Sequence, residues 1–241
     1  MPNEPDSIKN ILSSLISESP PASPLRAPLR IHFPGTTLTT PGTHLTRSET
    51  STPPSFSVSA HALDNLSFPN CDLSPTTSAA SHESSSTSSI LSHSPSAEDN
   101  NNNNNNNNVP HYLVAGLDLD PPFPSFPVMG PLLHSLQADM TLATGEMGAD
   151  EEFIRLQGRS REGEEVAGYM GPAPPPWSGP HRYVFVVWEQ PKGVDGGKIR
   201  EELGLQEGEG VGMVGRLRWD LEGFERRLGL GRVVAGNYFV C

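Results

Sequence analysis

Residues Gly171 to Gln190 read GPAPPPWSGPHRYVFVVWEQ, a stretch whose two halves have opposite characters. Pro172, Pro174, Pro175, Pro176 and Pro180 have fixed φ and no N–H to give a ladder, so the first half predicts a stiff, irregular wall. From Tyr183 to Trp188 the residues are Tyr, Val, Phe, Val, Val and Trp, β-formers on both faces. They predict a central strand covered on both sides. Alternation puts His181, Tyr183, Phe185 and Val187 on one face and Arg182, Val184, Val186 and Trp188 on the other. His181 therefore enters the strand beside Tyr183, at the rim of a core. Arg182 points away and is expected to be structural, paired with a carboxylate beneath the sheet.

Two further segments have strand character. Tyr112 to Leu119 places Leu113, Ala115, Leu117 and Leu119 on one face, then runs into Asp120-Pro121-Pro122-Phe123-Pro124-Ser125. Prolines this dense favour a cis bond, since cis peptides are largely confined to X-Pro. Leu132 to Met140 also alternates, with His134 interrupting the face of Leu132, Leu136, Ala138 and Met140. Asp120 at a strand end, His134 on an apolar face and His181 at a strand entrance stand where a core prefers few polar groups. On general grounds a lone histidine of this kind is a core residue with one satisfied hydrogen bond.

In order along the chain, these residues resemble the phosphatidylethanolamine-binding protein family, also called the Raf kinase inhibitor family. A Gly-Pro-x-Pro-Pro wall before a His-Arg-Tyr strand ending in Glu-Gln is matched by Gly171, Pro172, Pro174, Pro175, His181, Arg182, Tyr183, Glu189 and Gln190. Asp120, Pro121, Pro124 and Ser125 match the family's Asp-Pro-Asp-x-Pro-Ser, with Pro122 in place of the second carboxylate and Phe123 beside it. Leu132 to Leu136 is similar to the family's Leu-His-x-Leu strand. Val233 to Phe239 resembles its Pro-Val-Ala-Gly-Asn-x-Phe ending, with Val233 for the proline. The likeness covers Leu29 to Ala60 weakly and Tyr112 to Phe239 well. It implies a mainly β fold, a single antiparallel β-sandwich with a few peripheral helices and a small anion-binding cavity at one end, as in fungal-type members.

With the resemblance, the polar residues read as one site. Asp120 would favour the protonated form of a neighbouring imidazole, and His134 and His181 would donate two N–H groups to an anionic oxygen in a partly dry cleft. Tyr183 would add a hydroxyl, and Pro124, Pro174 and Pro175 apolar walls. The expected function is non-enzymatic binding of a phosphate-bearing ligand, such as a phosphatidylethanolamine head group, with control of a protein partner. Family partners include kinases and serine carboxypeptidases, and the alternative is a carboxypeptidase inhibitor acting through a surface outside the pocket. A hydrolase built on the two histidines and the aspartate is the least favoured reading, because no Ser or Cys lies in a nucleophile motif. A metal is disfavoured too, since the three residues come from separate segments without paired ligand spacing. No cofactor is expected.

Composition sets the outer bounds. The 241 residues are 34% hydrophobic with 25 prolines and 23 glycines, so much of the chain is expected to be loop or disorder around one core. A net charge of -12 without a Lys/Arg cluster argues against a nucleic-acid surface. The two cysteines, Cys71 and Cys241, form no disulfide framework, which fits a reducing, cytoplasmic setting. No run is long and apolar enough to span a bilayer, so membrane contact is expected to be peripheral at most.

The remaining segments fit around that core. Asp6 to Glu18 has Ile8, Ile11, Leu12, Leu15 and Ile16 at helical spacing, with Asp6 or Ser7 as N-cap. Its polar face lacks basic residues, so it is expected to pack on the domain's own sheet within an N-terminal segment, 1–28. The single domain would then run over 29–241. Leu29 to Phe33 alternates with Arg30 and His32 outward, and Phe56 to Ala60 alternates again. At about 64–109 a Ser/Thr-rich stretch ends in nine asparagines, Asn100 to Asn108, and reads as a disordered insertion. Thr141 to Val166, rich in Gly and Glu, reads as a second exposed connection. Lys198 to Leu203 predicts a brief helix. Gly210 to Gly215 matches a dinucleotide fingerprint only on paper, because no strand precedes it.

Overall fold

Among the described residues the chain forms nine strands, six of them in the segments read as strands from the sequence. The computed structural model describes residues 5–16, 28–64, 109–147, 152–158 and 165–241. In order these contain α1 (Asp6–Ile16), β1 (Leu29–Phe33), β2 (Thr36–Leu38), β3 (Thr43–His44), β4 (Ser55–Ser59) and α2 (Ala60–Asp64). They continue with β5 (Tyr112–Asp118), β6 (Leu132–Met147), β7 (Phe153–Gln157), β8 (Arg182–Glu189), α3 (Gly196–Glu202), α4 (Met213–Arg216), α5 (Leu221–Leu228) and β9 (Ala235–Val240). The expected insertion at 64–109 lies, apart from its two end residues, outside the described residues.

The strands follow the order β2-β1-β4-β7-β6-β5-β8-β9-β3. All pairings are antiparallel except β3 with β9, a parallel exception to the expected sheet. The 16-residue β6 links the two halves, pairing β5 through its first part and β7 through its second. The region 141–166 is thus not simply a connection: β6 continues to Met147 and β7 lies within it. Its glycines and glutamates hid the β pattern.

The two halves pack face to face as a sandwich. Phe56 of β4 lies 5.5 Å from Phe185 of β8, and Phe33 of β1 meets Phe239 of β9 edge-on at 5.7 Å, both ordinary aromatic spacings. Gly116 leaves the space for Phe185, since a Cβ there would come within 2.7 Å of the ring. Asn237 of β9 donates from Nδ2 to the Leu29 carbonyl of β1, tying one half to the other.

On its opposite face β8 turns Val184, Val186 and Trp188 towards Leu113, Leu117, Phe224 of α5 and Ile8 and Leu12 of α1. The predicted burial of both faces of this strand holds, and α1 packs on the sheet as expected. Its cap differs: Lys9 N–H donates to the Pro5 carbonyl, so Asp6 is the first helical residue, and its carboxylate accepts from Lys9 Nζ instead. The brief helix becomes α3, capped by Asp195, which accepts from Lys198 N–H. The Gly210–Gly215 run contains most of α4 and follows a turn, not a strand.

Candidate functional site

β5, β6 and β8 lie side by side, and their ends carry the polar residues. In the β5–β8 ladder Asp118 faces Tyr183, which puts both on one face of the sheet. In the β5–β6 ladder Leu133 pairs Leu117 and Ser135 pairs Gly116, so the register shifts and His134 is the extra residue. A bulge at this point re-aims a side chain that strict alternation would have left in the row. Met170 holds the result: its N–H donates to the His134 carbonyl, and its own carbonyl lies 2.5 Å from His134 Nδ1.

His134, His181 and Tyr183 are brought together as expected. The His134 and Tyr183 rings meet edge-on at 5.1 Å between centroids, and His181 stacks on Tyr183 at 6.4 Å. Asp120 takes only part of the role expected of it: its charge helps favour the protonated His181, but it is not the carboxylate bonded to the imidazole. Arg182 donates to it from its backbone N (2.8 Å), Nε (2.9 Å) and Nη2 (2.7 Å), so Asp120 is the structural partner foreseen for Arg182. The carboxylate beside the imidazole is Asp118, whose Oδ2 lies 2.8 Å from His181 Nδ1. Asp118 Oδ1 also accepts from Asp120 N–H at 2.9 Å. The signal was present in the repeat Leu117-Asp118-Leu119-Asp120, two carboxylates on one strand face, but the one at the proline boundary drew the reading. There the chain leaves the ladder after Asp118, and Asp120 turns to Arg182.

The two imidazoles have opposite electrostatics. Burial alone would push the His181 pKa down, but hydrogen bonding to Asp118, the charges of Asp118 and Asp120, and the Pro122 carbonyl together raise it above the ordinary histidine value. Both of its ring nitrogens face acceptors, Nδ1 the carboxylate and Nε2 the Pro122 carbonyl at 3.3 Å, which the doubly protonated cation satisfies. For His134 burial wins and lowers the pKa, against the Met170 carbonyl and the Asp118 charge. In the neutral ring Nδ1–H donates to Met170, which leaves Nε2 as a lone-pair acceptor. Neither imidazole therefore offers a free N–H, a correction to the pair of donors expected from the sequence.

Two polar atoms in the cluster are left over. His134 Nε2 and the Tyr183 hydroxyl are both buried and make no hydrogen bond. The Asp118 carboxylate and the Ala173 backbone lie near that hydroxyl without meeting it at hydrogen-bonding geometry. Burial, then the Asp118 charge, pushes its pKa far above the usual phenol value.

Asp118, Asp120, His134, His181 and Tyr183 are all buried, so the expected open cleft is covered in this structure. Pro122 contributes the carbonyl facing His181. Pro174 is buried, Pro175 half-buried and Pro124 exposed on the loop beyond. Arg47 donates to the Pro174 carbonyl and fixes the proline wall to the chain before β4. Elsewhere, a groove of about 970 Å³ lined by Gln137, Asp139, Asp195 and Arg200 contains none of the expected site residues. Among the described residues no cluster of three His, Cys, Asp or Glu side chains could hold a metal.

Comparison with known proteins agrees with the family resemblance and the fold. Over 69 residues the chain is 44% identical to the carboxypeptidase Y inhibitor of Saccharomyces cerevisiae, 27% of this chain and 32% of that protein. Over 115 residues it is 38% identical to the phomoidride biosynthesis cluster protein N of Talaromyces stipitatus, 46% of this chain and 49% of that one. The matches thus span about a third and about half of the lengths of these relatives. In fold, it superposes on a crystal structure of carboxypeptidase Y inhibitor complexed with its cognate proteinase. That TM-score is 0.56 at 20% identity, covering 98% of this chain and 92% of the other. The family model for phosphatidylethanolamine-binding protein matches residues 71–239, more than half of the sequence, and the chain belongs to the phosphatidylethanolamine-binding protein family.

Proposed function

We propose that this chain is a non-catalytic binding protein that takes a phosphate-bearing group at the Asp118, His134, His181 and Tyr183 cluster and through it controls a protein partner. The observation that carries the reading is the pair of unpartnered buried atoms, His134 Nε2 and the Tyr183 hydroxyl, on rings 5.1 Å apart. Burying a polar atom without a partner costs about 1–3 kcal/mol, and a ligand that satisfies both removes that cost. A monoprotonated phosphate has what is needed: its P–OH donates to Nε2 and a P–O⁻ accepts from the phenol. The imidazolium of His181 adds a favourable charge nearby. Entry requires the covering segments around Pro122 and Pro174 to part. Free phosphate and a phosphate monoester share this chemistry, whereas the diester of a phosphatidylethanolamine head group has no P–OH and would offer its ammonium N–H to Nε2 instead.

Calorimetry with inorganic phosphate and with phosphoethanolamine tests the reading. Both should bind, and His134→Ala should remove the heat while the circular dichroism spectrum stays that of the native protein. Absence of heat from either ligand with the native protein contradicts it.

Inhibition of a serine carboxypeptidase is the second reading. It draws on the Saccharomyces cerevisiae relative, which carries carboxypeptidase Y inhibitor as its name. On this reading carboxypeptidase Y is inhibited by the native chain and equally by His134→Ala, because the contact lies outside the cluster.

A further inference from the structure

We propose that His134 makes the cluster selective for oxyanions that bring their own proton: phosphate and its monoesters are admitted, whereas sulfate and phosphate diesters without an N–H are refused. The inference rests on the phosphate reading above and names the ligand class within it. A site for a bare oxyanion collects donors, since every oxygen of such a ligand is an acceptor. Here one of the two unpartnered buried atoms is itself an acceptor. His134 is 4% exposed, and the Met170 carbonyl lies 2.5 Å from its Nδ1, so the ring proton is held there and Nε2 presents its lone pair. Flipping the ring would trade that hydrogen bond for a C–H facing the carbonyl. The backbone beneath is fixed as well, because Met170 N–H and Arg216 Nη1 both donate to the His134 carbonyl. Tyr183 supplies the matching donor: burial and the Asp118 charge push its pKa far above the usual phenol value, so its hydroxyl keeps its proton. One acceptor beside one donor is complementary to a group with one O–H and one O⁻.

Charge acts in the same direction. Asp118 lies 2.8 Å from His181 Nδ1 and Asp120 is paired with Arg182 at 2.7 Å, so two carboxylates are balanced by two cations and no net positive charge is left over for a dianion. The ring could hold sulfate only by taking a proton from water. Around it stand Asp118 on β5, His181 and Tyr183 on β8, Arg216 on α4 and the Met170 carbonyl. Burial is the largest influence, and with the cations of Arg216 and His181 it outweighs Met170 and Asp118 and holds the His134 pKa below its ordinary value. A phosphate monoester keeps its second proton up to about pH 6, whereas sulfate has none to give near neutrality. A buried acceptor left unpaired by its ligand costs about ten- to hundredfold in affinity, and a diester without an N–H meets the same cost.

Calorimetry of the full chain at about pH 6 with inorganic phosphate, sodium sulfate and dimethyl phosphate tests the selectivity. Phosphate should bind at least about tenfold more tightly than either of the others. Repeating the titrations in two buffers of different ionisation enthalpy counts protons. Phosphate should take up none at about pH 6 and about one at about pH 8, where it arrives as the dianion. His134→Gln, whose amide carries N–H donors, should admit sulfate and bring the phosphate and sulfate affinities within about threefold of each other. Should that variant lose the native circular dichroism spectrum, the proton count on the native protein decides alone. Equal affinities for phosphate and sulfate in the native protein, or phosphate binding at about pH 8 without proton uptake, overturn the inference and leave the phosphate site in place. No heat from phosphate at all contradicts the phosphate reading itself, and the selectivity falls with it.

Discussion

Replacing Asp118 by asparagine separates the carboxylate the structure uses from the one the sequence favours. Asp118 is 3% exposed and accepts from two groups, His181 Nδ1–H at 2.8 Å and Asp120 N–H at 2.9 Å. An amide has one acceptor oxygen, so one of these bonds is lost at every pH, at about 1 kcal/mol. A second loss depends on charge. The His181 pKa is raised in the fold, so stabilisation of the imidazolium is fully present below the ordinary value of 6.5 and disappears as the pH rises through the folded value. Without the carboxylate, burial drives the ring neutral. At about pH 5.5, one unit below the ordinary value, giving up the proton costs about 1.4 kcal/mol, and losing the charge-assisted character of the bond raises the charge-dependent loss to about 2 kcal/mol. Asp118→Asn should therefore destabilise by about 3 kcal/mol near pH 5.5 and by about 1 kcal/mol near pH 9, as read from urea unfolding at the two pH values. An equal loss at both, or a pH-dependent loss in Asp120→Asn instead, refutes the assignment of Asp118 to His181.

Three further outcomes follow from the same geometry. Tyr183→Phe removes a buried hydroxyl that has no partner, so without ligand the variant should be as stable as the native protein or more so by up to about 1 kcal/mol. Its phosphate affinity should drop at least tenfold by calorimetry, and a stability loss above about 1 kcal/mol would mean that the hydroxyl is already satisfied. Arg182→Met leaves Asp120, 1% exposed, with only the backbone N–H of its three donors and no cation beside it, and should cost about 3–5 kcal/mol in unfolding experiments. Retention of the Asp120 N–H donor to Asp118 in the resulting NMR spectra would localise the damage to the pair. His134 has its pKa lowered by burial, so its contribution is present above the ordinary value of 6.5 and is lost as the pH falls through the folded value. His134→Gln should flatten the acid side of the stability curve, and an unchanged curve would show that the neutral form is not what the fold prefers.

What could be read in the sequence was mostly local. Two-residue periodicity located β1, β4, β5, β8 and the first part of β6, the family ending marked β9, and the density of prolines after Leu119 marked the cis bond between Pro121 and Pro122. The features that escaped were set by pairing between distant strands. β6 shifts register at His134 because Gly116 on β5 faces Ser135, and nothing near His134 in sequence announces that extra residue. The choice of Asp118 over Asp120 depends on where β5 leaves the ladder and on the reach of Arg182, 62 residues later. His134 acts as an acceptor only because Met170, 36 residues away, takes its Nδ1 proton. Chemical type was legible from the residues, whereas protonation and direction were decided by partners in other strands.

The central claim is that His134 Nε2 and the Tyr183 hydroxyl are the atoms that receive the phosphate group. Nitrogen-15 spectra of the histidine rings, recorded during titration with inorganic phosphate, observe one of them directly. The account predicts a free ring with the proton on Nδ1 of His134 and a large change at its Nε2 on adding phosphate, absent in Tyr183→Phe at the same concentration. A His134 ring that is already protonated at Nε2, or that does not respond while phosphate changes only exposed histidines, contradicts it.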